Sequence, residues 1–334
     1  MKIERINSID IVRGVVMIIM ALDHTRDLIH VSSITHQPTD LASTTSAIFL
    51  TRWITHLCAP TFVFLSGVSA YISFNNKNNL AQSRRHLLLR GIFLIVLDLT
   101  LINFGVWFDI HFSVILFDVL SAIGFGFIVL SFFLKSSTKT IGIIGLSIIF
   151  FHNLISLIPF AEDSTFKKIL MPFFAPGAFS LGPNTTFVMG YPPIPWVGIM
   201  LTGFAAGLFF TLESAKRKAI FLKIGIFSLL LFMLLRFLNV YGDPSPWHSQ
   251  NNILFTFFSF INVTKYPPSL QFCLVTLGIM FLLLYFVDGA KNRLTDISTV
   301  FGKVPMFYFI IHWFIIHPIM FAVVFLQGYK SQDL

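Results

Sequence analysis

The chain of 334 residues is apolar and poor in charge, with 55% hydrophobic and 11% charged residues. A soluble domain carries about a quarter charged residues, so this composition excludes a soluble globule. The net charge of +8 falls in short basic clusters between apolar segments, which indicates membrane topology signals and not nucleic-acid binding.

Apolar segments recur along the whole chain, and several exceed the roughly 18 residues of a membrane-spanning helix. We therefore expect an all-α, polytopic transmembrane bundle of about nine spans. No internal repeat or low-complexity linker divides it, so residues 1–334 are predicted to form a single domain. The predicted spans are 10–30, 46–74, 86–106, 112–134, 141–159, 192–212, 219–241, 268–288 and 299–326.

Alternate connections between these spans are basic. They are Lys77 to Arg85, Lys135 to Lys139, Lys216 to Lys218 and Lys291 to Arg293. The positive-inside rule then predicts a cytoplasmic amino terminus and a multi-pass protein of the inner (plasma) membrane. No small-residue cleavage site follows the first apolar run, so we expect no removable signal peptide. The long outer connections 160–191 and 242–267 are lid candidates.

The first predicted span holds the densest set of ionisable residues, and such groups inside a membrane are functional candidates. Arg13 and His24 are eleven residues apart, so they share one face and lie roughly 16 Å apart along the axis. The i, i+3 spacings pair His24 with Asp27 and Asp23 with Arg26. His24 is therefore a candidate general base, with Asp27 and Asp23 as catalytic partners. The alternative is a polar helix end that solvates itself.

The other polar residues within spans each allow two interpretations. His56 could join the His24 site or simply bond to a backbone carbonyl, and Asp98 and Asp118 could partner His24 or join helices to each other. His312 and His317 are about 140° apart on a helix, so they cannot face one site and a metal pair is not expected. Arg236 in the seventh predicted span could bind an anion or could snorkel to the membrane interface.

The small residues Ser66-Gly67-Val68-Ser69 predict that the second span packs closely against a neighbour, with the first span as the candidate. The two cysteines, Cys58 and Cys273, lie in apolar context and leave no disulfide framework or cysteine metal site.

Five stretches, taken in order, resemble the bacterial relatives of heparan-α-glucosaminide N-acetyltransferase. The stretches are Ser8-Ile9-Asp10-Ile11-Val12-Arg13-Gly14, Pro60-Thr61-Phe62-Val63-Phe64-Leu65-Ser66-Gly67, Tyr191-Pro192-Pro193-Ile194-Pro195-Trp196, Lys265-Tyr266-Pro267-Pro268-Ser269-Leu270 and Gly302-Lys303-Val304-Pro305-Met306-Phe307-Tyr308. Members of that family usually continue into further carboxy-terminal helices, which this chain would lack.

The resemblance implies a transmembrane O- or N-acyltransferase that moves an acyl group, expected to be acetyl, from acyl-CoA to a sugar or glycan across the membrane. It implies His24 as the catalytic histidine, because an Arg followed eleven positions later by a His marks the first helix of such enzymes. Acetyl-CoA is then the donor substrate, with no metal, and the candidate donor-binding residues are Arg13, Arg26 and Lys303. A homodimer is a candidate assembly. The alternative function is a small-solute transporter or flippase, since charged residues in spans also mark transport pathways.

Overall fold

A computed structural model describes residues 5–30, 36–160 and 164–328. Residues 1–4 of the predicted cytoplasmic terminus and 161–163 of the first lid candidate lie outside this part. The apolar runs form fourteen α-helices within it: α1 Asn7–Ile29, α2 Ser46–Thr55, α3 Cys58–Lys77, α4 Leu80–Leu97, α5 Asn103–Trp107, α6 Val119–Phe133, α7 Thr138–Phe151, α8 Thr165–Leu170, α9 Pro193–Ala206, α10 Ser214–Leu238, α11 Ile253–Ile261, α12 Leu270–Val287, α13 Arg293–Lys303 and α14 Pro305–Leu326.

Seven helical segments in the described part are long and apolar enough to cross a membrane. They coincide with seven of the predicted spans and are Ser46–Lys77, Leu80–Trp107, Thr138–Leu157, Pro193–Thr211, Ser214–Leu238, Leu270–Val287 and Pro305–Leu326. The two other predicted spans correspond to α1, which is rich in charge, and to α6, which has 15 residues. A multi-pass helical bundle is therefore established, while a total of nine spans stays a prediction.

A small sheet accompanies the helices, so the fold is mostly helical and not all-α as predicted. Its strands are β1 Val114–Phe117, β2 Gly177–Gly182 and β3 Thr185–Met189. β3 lies between the other two strands, parallel to β1 and antiparallel to β2. Hydropathy cannot distinguish a short apolar strand such as β1 from the start of a helix, which is why the predicted span 112–134 began too early.

Helix α1 is fixed by α13 through two glycines that each face the partner backbone. A Cβ atom on Gly14 would lie 1.7 Å from the carbonyl oxygen of Ser298, and one on Gly302 would lie 1.8 Å from that of Asp10. Each distance is far below van der Waals contact, so only glycine allows this approach. Both glycines belong to the stretches quoted above, and their packing sets the position of the helix that carries Arg13 and His24.

Substitution of Gly14 by alanine is expected to lower the thermal stability of the detergent-purified protein. Forcing a methyl group into a packed contact costs about 1–3 kcal/mol. The matched control is Gly182→Ala, because a Cβ at Gly182 meets nothing within 4 Å. A Gly14→Ala protein with the melting temperature of Gly182→Ala would contradict the close contact.

The predicted close packing of α3 occurs at Gly67, where the partner is α9, and α3 also lies against α1, whose Arg13 donates to the hydroxyl of Ser69. A Cβ on Gly67 would lie 2.2 Å from the carbonyl oxygen of Met200, and one on Gly203 would lie 2.2 Å from that of Phe64. The neighbouring serines, Ser66 and Ser69, instead face a cavity beside α1.

Arg236 neither snorkels to the interface nor remains free to bind an anion, which corrects both interpretations of its sequence position. It is 1% exposed. Its guanidinium donates to the backbone oxygens of Phe260, Ser259, Asn262 and Ser245 at 2.7 to 2.9 Å. The described residues of the connection 242–267 are therefore tied to α10.

Candidate active site

Three cavities lie in sequence through the bundle. The inner cavity, of about 280 Å³, is bordered by Arg13 and Arg90. The central cavity, of about 160 Å³, is bordered by His24 and Asp118. The outer cavity, of about 250 Å³, is bordered by His56.

Neighbouring cavities share walls. Phe62, Val119 and Phe309 border both the inner and the central cavity. Arg52, Lys265 and Tyr266 border both the central and the outer cavity. Side chains that border two cavities therefore separate the central cavity from each of its neighbours.

One face of α1 runs along the first two cavities. Arg13 and Met17 border the inner cavity, and Met20 and His24 border the central one. Arg13 and His24 therefore both face these cavities, as their spacing on α1 predicts. Arg13 donates to the hydroxyl of Ser69 at 2.9 Å and lies 3.5 Å from Asp10, which orients its guanidinium beside the inner cavity.

A chain of two imidazoles assigns the proton on His24. The Nδ1 of His312 lies 3.1 Å from the backbone oxygen of Tyr308, and because a carbonyl only accepts, His312 carries its proton on Nδ1. Its Nε2 must then accept, so the Nδ1–H of His24 donates to it at 2.5 Å. The Nε2 of His24 is left with a lone pair, which is the protonation state of a general base.

The imidazole of His24 is held by packing as well as by this hydrogen bond. It stacks on the indole of Trp313, with ring centroids 4.2 Å apart and an interplanar angle of 18°. His317, five residues beyond His312, stacks on Phe108 instead. The two histidines of α14 therefore face different surroundings, as their helical spacing predicted.

The prediction that Asp27 pairs with His24 was wrong. Asp27 pairs with the guanidinium of Arg26 at 2.7 Å, and His24 is hydrogen-bonded to His312. The predicted pair of Asp23 and Arg26 is present. Asp23, which is 6% exposed, also accepts from Arg52 and from the hydroxyl of Thr55, each at 2.7 Å. The carboxylates Asp23 and Asp27 thus belong to an ion-pair cluster beside the central cavity.

Two of the cations predicted to bind the donor lie away from the inner cavity. Arg26 is buried in the carboxylate cluster at the far end of α1 from Arg13. Lys303 is exposed at the last residue of α13, and it does not border any of the three cavities. The cation that joins Arg13 at the inner cavity is Arg90.

The remaining polar residues divide between structural and cavity positions. A carboxylate oxygen of Asp98 accepts from the backbone N–H groups of Asp118 and Ser121 at 3.0 and 2.9 Å, and so caps the start of α6. Asp118 itself faces the central cavity. His56 does not bond to a carbonyl through its Nδ1, which is buried without a hydrogen-bond partner.

Sequence reasoning gave no role to several residues that border the central cavity, namely Arg52, Tyr191, Lys265 and Tyr266. A signal for three of them was present, since Tyr191 opens one of the quoted stretches and Lys265-Tyr266 opens another. Within the described part, no group of three or more histidine, cysteine or acidic residues is arranged to hold a metal ion.

Comparison with known protein families assigns the chain to a family. Residues 5–241 match the family described as heparan-alpha-glucosaminide N-acetyltransferase, catalytic. No curated protein matches the chain. The matched segment covers more than half of the 334 residues and includes the whole of α1. The chain therefore belongs to the heparan-alpha-glucosaminide N-acetyltransferase catalytic family, and it is a membrane acyltransferase.

Proposed function

We propose that the protein transfers an acetyl group from acetyl-CoA to an amine or hydroxyl of a sugar or glycan on the other side of the inner (plasma) membrane. The observation that carries this proposal is the position of His24. The residue borders the central cavity, which adjoins one further cavity on each side, and its Nε2 is unprotonated. A base between two cavities can act on a donor from one side and an acceptor from the other.

The donor is proposed to occupy the inner cavity. Arg13 and Arg90 supply positive charge there, which suits the phosphates of the nucleotide. The pantetheine arm would then extend along the apolar face formed by Met17 and Met20 and bring the thioester carbonyl to the central cavity. The 16 Å or so between Arg13 and His24 is a length that an extended arm can span.

The reaction is an acyl transfer with His24 as general base and then general acid. The acceptor amine or hydroxyl attacks the thioester carbonyl while its proton passes to Nε2 of His24. The tetrahedral intermediate expels the CoA sulfur as the C–S bond breaks, and the imidazolium returns the proton to that sulfur. The products are the acetylated acceptor and free CoA thiol. Throughout the reaction, the Nε2 of His312 accepts a hydrogen bond from the Nδ1–H of His24 and so stabilises the imidazolium form of His24.

Purified protein in lipid nanodiscs, given acetyl-CoA and a panel of amino sugars and glycans, should release CoA thiol and form acetylated acceptor in equal amounts. Thiol release is measured by colorimetry and the product by mass spectrometry. The matched control is His317→Gln, a histidine of the same helix that stacks on Phe108 outside the three cavities. Solute uptake into proteoliposomes without thiol release would instead favour the transporter, which no observation supports at present.

The proposed direction of transfer requires the inner cavity to open to the cytoplasm. Single cysteines at Gln82, beside the basic turn after α3, and at Asn184, between β2 and β3, test this orientation because both native residues are exposed. The native Cys58 and Cys273 are buried, so their background reaction is small. An impermeant thiol reagent should label Asn184→Cys and spare Gln82→Cys in intact cells. The reverse pattern would invert the topology.

A further inference from the structure

A further cavity, of about 320 Å³, lies away from the residues that surround His24. We call it the lateral cavity. Residues of α3, α7, α9, α10 and α12 line it, and none of its described lining residues carries a charge. It shares no described lining residue with the inner, central or outer cavity. The acyl transfer proposed above therefore makes no use of it.

Two closely packed helix pairs border the lateral cavity. In the first pair, a Cβ atom on Gly145 of α7 would lie 2.6 Å from the backbone nitrogen of Thr202 of α9. In the second pair, a Cβ atom on Gly225 of α10 would lie 3.1 Å from the carbonyl oxygen of Gly278 of α12. Small residues thus bring each pair into contact. The lateral cavity is the space left between the two pairs, lined on its buried side by Phe64 of α3.

The lateral cavity opens sideways, between α7 and α10. Two of its lining residues are exposed, Leu146 of α7 at 46% and Phe227 of α10 at 65%. At one end, the hydroxyl of Tyr241, just after α10, donates to the carbonyl oxygen of Phe150 of α7. At the other end, Phe209 lines the cavity from the short turn that joins α9 to α10. The opening is therefore bounded above and below.

Hydrocarbon is what surrounds this opening in a bilayer. Leu146 and Phe227 each lie near the middle of a segment that is long and apolar enough to cross the membrane, Thr138–Leu157 and Ser214–Leu238. The hydrocarbon core of a bilayer is about 30 Å thick, so the middle of such a segment is far from water and from headgroups. Lipid chains are therefore the molecules that reach the lateral cavity from outside.

The lining of the lateral cavity suits a lipid chain better than it suits water. A buried water needs two to four polar partners. The hydroxyl of Thr202 already donates to the backbone oxygen of Gly198 in its own helix at 2.9 Å, which leaves Ser228 as the other lining hydroxyl. An empty cavity would forfeit the dispersion contacts of its lining. A hydrocarbon chain restores those contacts and needs no polar partner.

Lys223 indicates which kind of lipid supplies the chain. It is exposed on α10 one turn before Phe227, so the two side chains share a face. Helical side chains lean toward the start of their helix, so the ammonium of Lys223 extends toward the membrane surface at the start of α10. The described part of the chain places no carboxylate within 4.0 Å of that ammonium. A lipid phosphate at this surface would meet an unpaired positive charge.

We propose that the lateral cavity binds one acyl chain of a membrane phospholipid whose phosphate lies beside Lys223. The chain fills the space between the two helix pairs and so becomes a structural part of the protein. This inference does not rest on the proposed acyl transfer, because the lateral cavity and the site of His24 share no described lining residue.

A phospholipid with a photoreactive diazirine near the end of one acyl chain tests the proposal in nanodiscs. Irradiation followed by peptide mass spectrometry should place crosslinks on Leu274 and Leu277, which line the cavity and are 8% and 7% exposed. Lipid that merely surrounds the protein does not reach such buried side chains. Ile143, which is exposed on α7 outside the cavity, is the reference for surrounding lipid. Crosslinks at Ile143 without any at Leu274 or Leu277 would overturn the proposal.

Substitution of Ser228 by leucine fills part of the lateral cavity. Overfilling a packed site should lower the crosslinking of Leu277, relative to Ile143, by about 5- to 150-fold. The matched control is Ser147→Leu, which enlarges an exposed serine of α7 outside the cavity. If Ser228→Leu fails to fold, as judged by gel filtration, Ile224→Phe fills the cavity in its place. A relative yield that is unchanged in the folded filling variant contradicts the chain site.

Substitution of Lys223 by glutamine tests the position of the phosphate. An exposed ion pair contributes little, so the relative crosslinking of Leu277 by the phospholipid should fall by about 1.5- to 5-fold. Lys223→Arg should keep the wild-type yield, because the charge remains. A diacylglycerol with the same photoreactive chain should crosslink wild type and Lys223→Gln equally. An equal phospholipid yield in wild type and Lys223→Gln would refute the placement of the phosphate beside Lys223.

Discussion

Replacing His24 by alanine is expected to lower the turnover of acetyl transfer by about 10²–10⁴-fold, the usual contribution of a general acid–base group. The loss should appear in kcat, because the imidazole acts on the proton that moves in the transition state. Turnover is measured as initial rates of CoA thiol release at saturating donor. The matched control is His317→Ala, which removes an imidazole from packing outside the three cavities. If the turnover of His24→Ala equals that of the control, His24 is not the general base.

Substitutions of His312 test whether it acts through its hydrogen bond to His24 or only by packing against it. His312→Gln keeps a side-chain oxygen that can accept from Nδ1–H of His24, whereas His312→Leu removes the acceptor. We expect the glutamine variant to retain more turnover than the leucine variant. Asp27→Asn should have a smaller effect than either, because its carboxylate is 43% exposed and pairs with Arg26. A larger loss in Asp27→Asn would restore the carboxylate as the partner of His24.

Removal of the Arg13 guanidinium is expected to weaken donor binding. Hydrogen bonds to charged groups contribute about 1.5–3 kcal/mol, so Arg13→Gln should raise the KM for acetyl-CoA by about 10- to 150-fold. The kcat should change much less, because the guanidinium lies three turns from the reacting carbonyl. Direct binding of radiolabelled acetyl-CoA to protein in nanodiscs checks the same change. Arg13→Lys, which keeps the charge, should recover part of the affinity.

Lys139→Gln is the matched control for this charge change, since Lys139 is exposed in the first turn of α7 and does not border the inner cavity. Unchanged donor affinity in Arg13→Gln would contradict the placement of the nucleotide in the inner cavity. A fall in kcat at constant KM would show that Arg13 acts in the chemical step and not in donor binding.

The spacing of residues along the chain correctly predicted which side chains of a single helix share a face or form a pair. The common face of Arg13 and His24 and the pair of Asp23 with Arg26 follow from 3.6 residues per turn, and both are present. Hydropathy likewise located the seven helical segments of the described part that are long and apolar enough to cross a membrane, because each is a long apolar run.

Contacts between distant segments could not be predicted in this way. His312 is 288 residues from His24, and no periodicity indicates that α14 packs beside α1. The i, i+3 spacing predicted the carboxylate of Asp27 as the partner of His24, whereas the partner in the structure is the imidazole of His312. The burial of Arg236 was missed for the same reason, since the four backbone oxygens that hold it belong to a different segment, and no periodicity indicates that this segment packs against α10.

The layer between the inner and central cavities bears on how the membrane stays sealed. Phe62, Val119 and Phe309 border both compartments, and their side chains offer no group that can replace the hydration shell of an ion. Hydrophobic constrictions of this kind exclude ions by excluding water. An acetyl thioester is uncharged and can pass such a layer, whereas a proton or a sodium ion cannot. The enzyme is thus expected to carry an acyl group across the bilayer without dissipating the membrane potential.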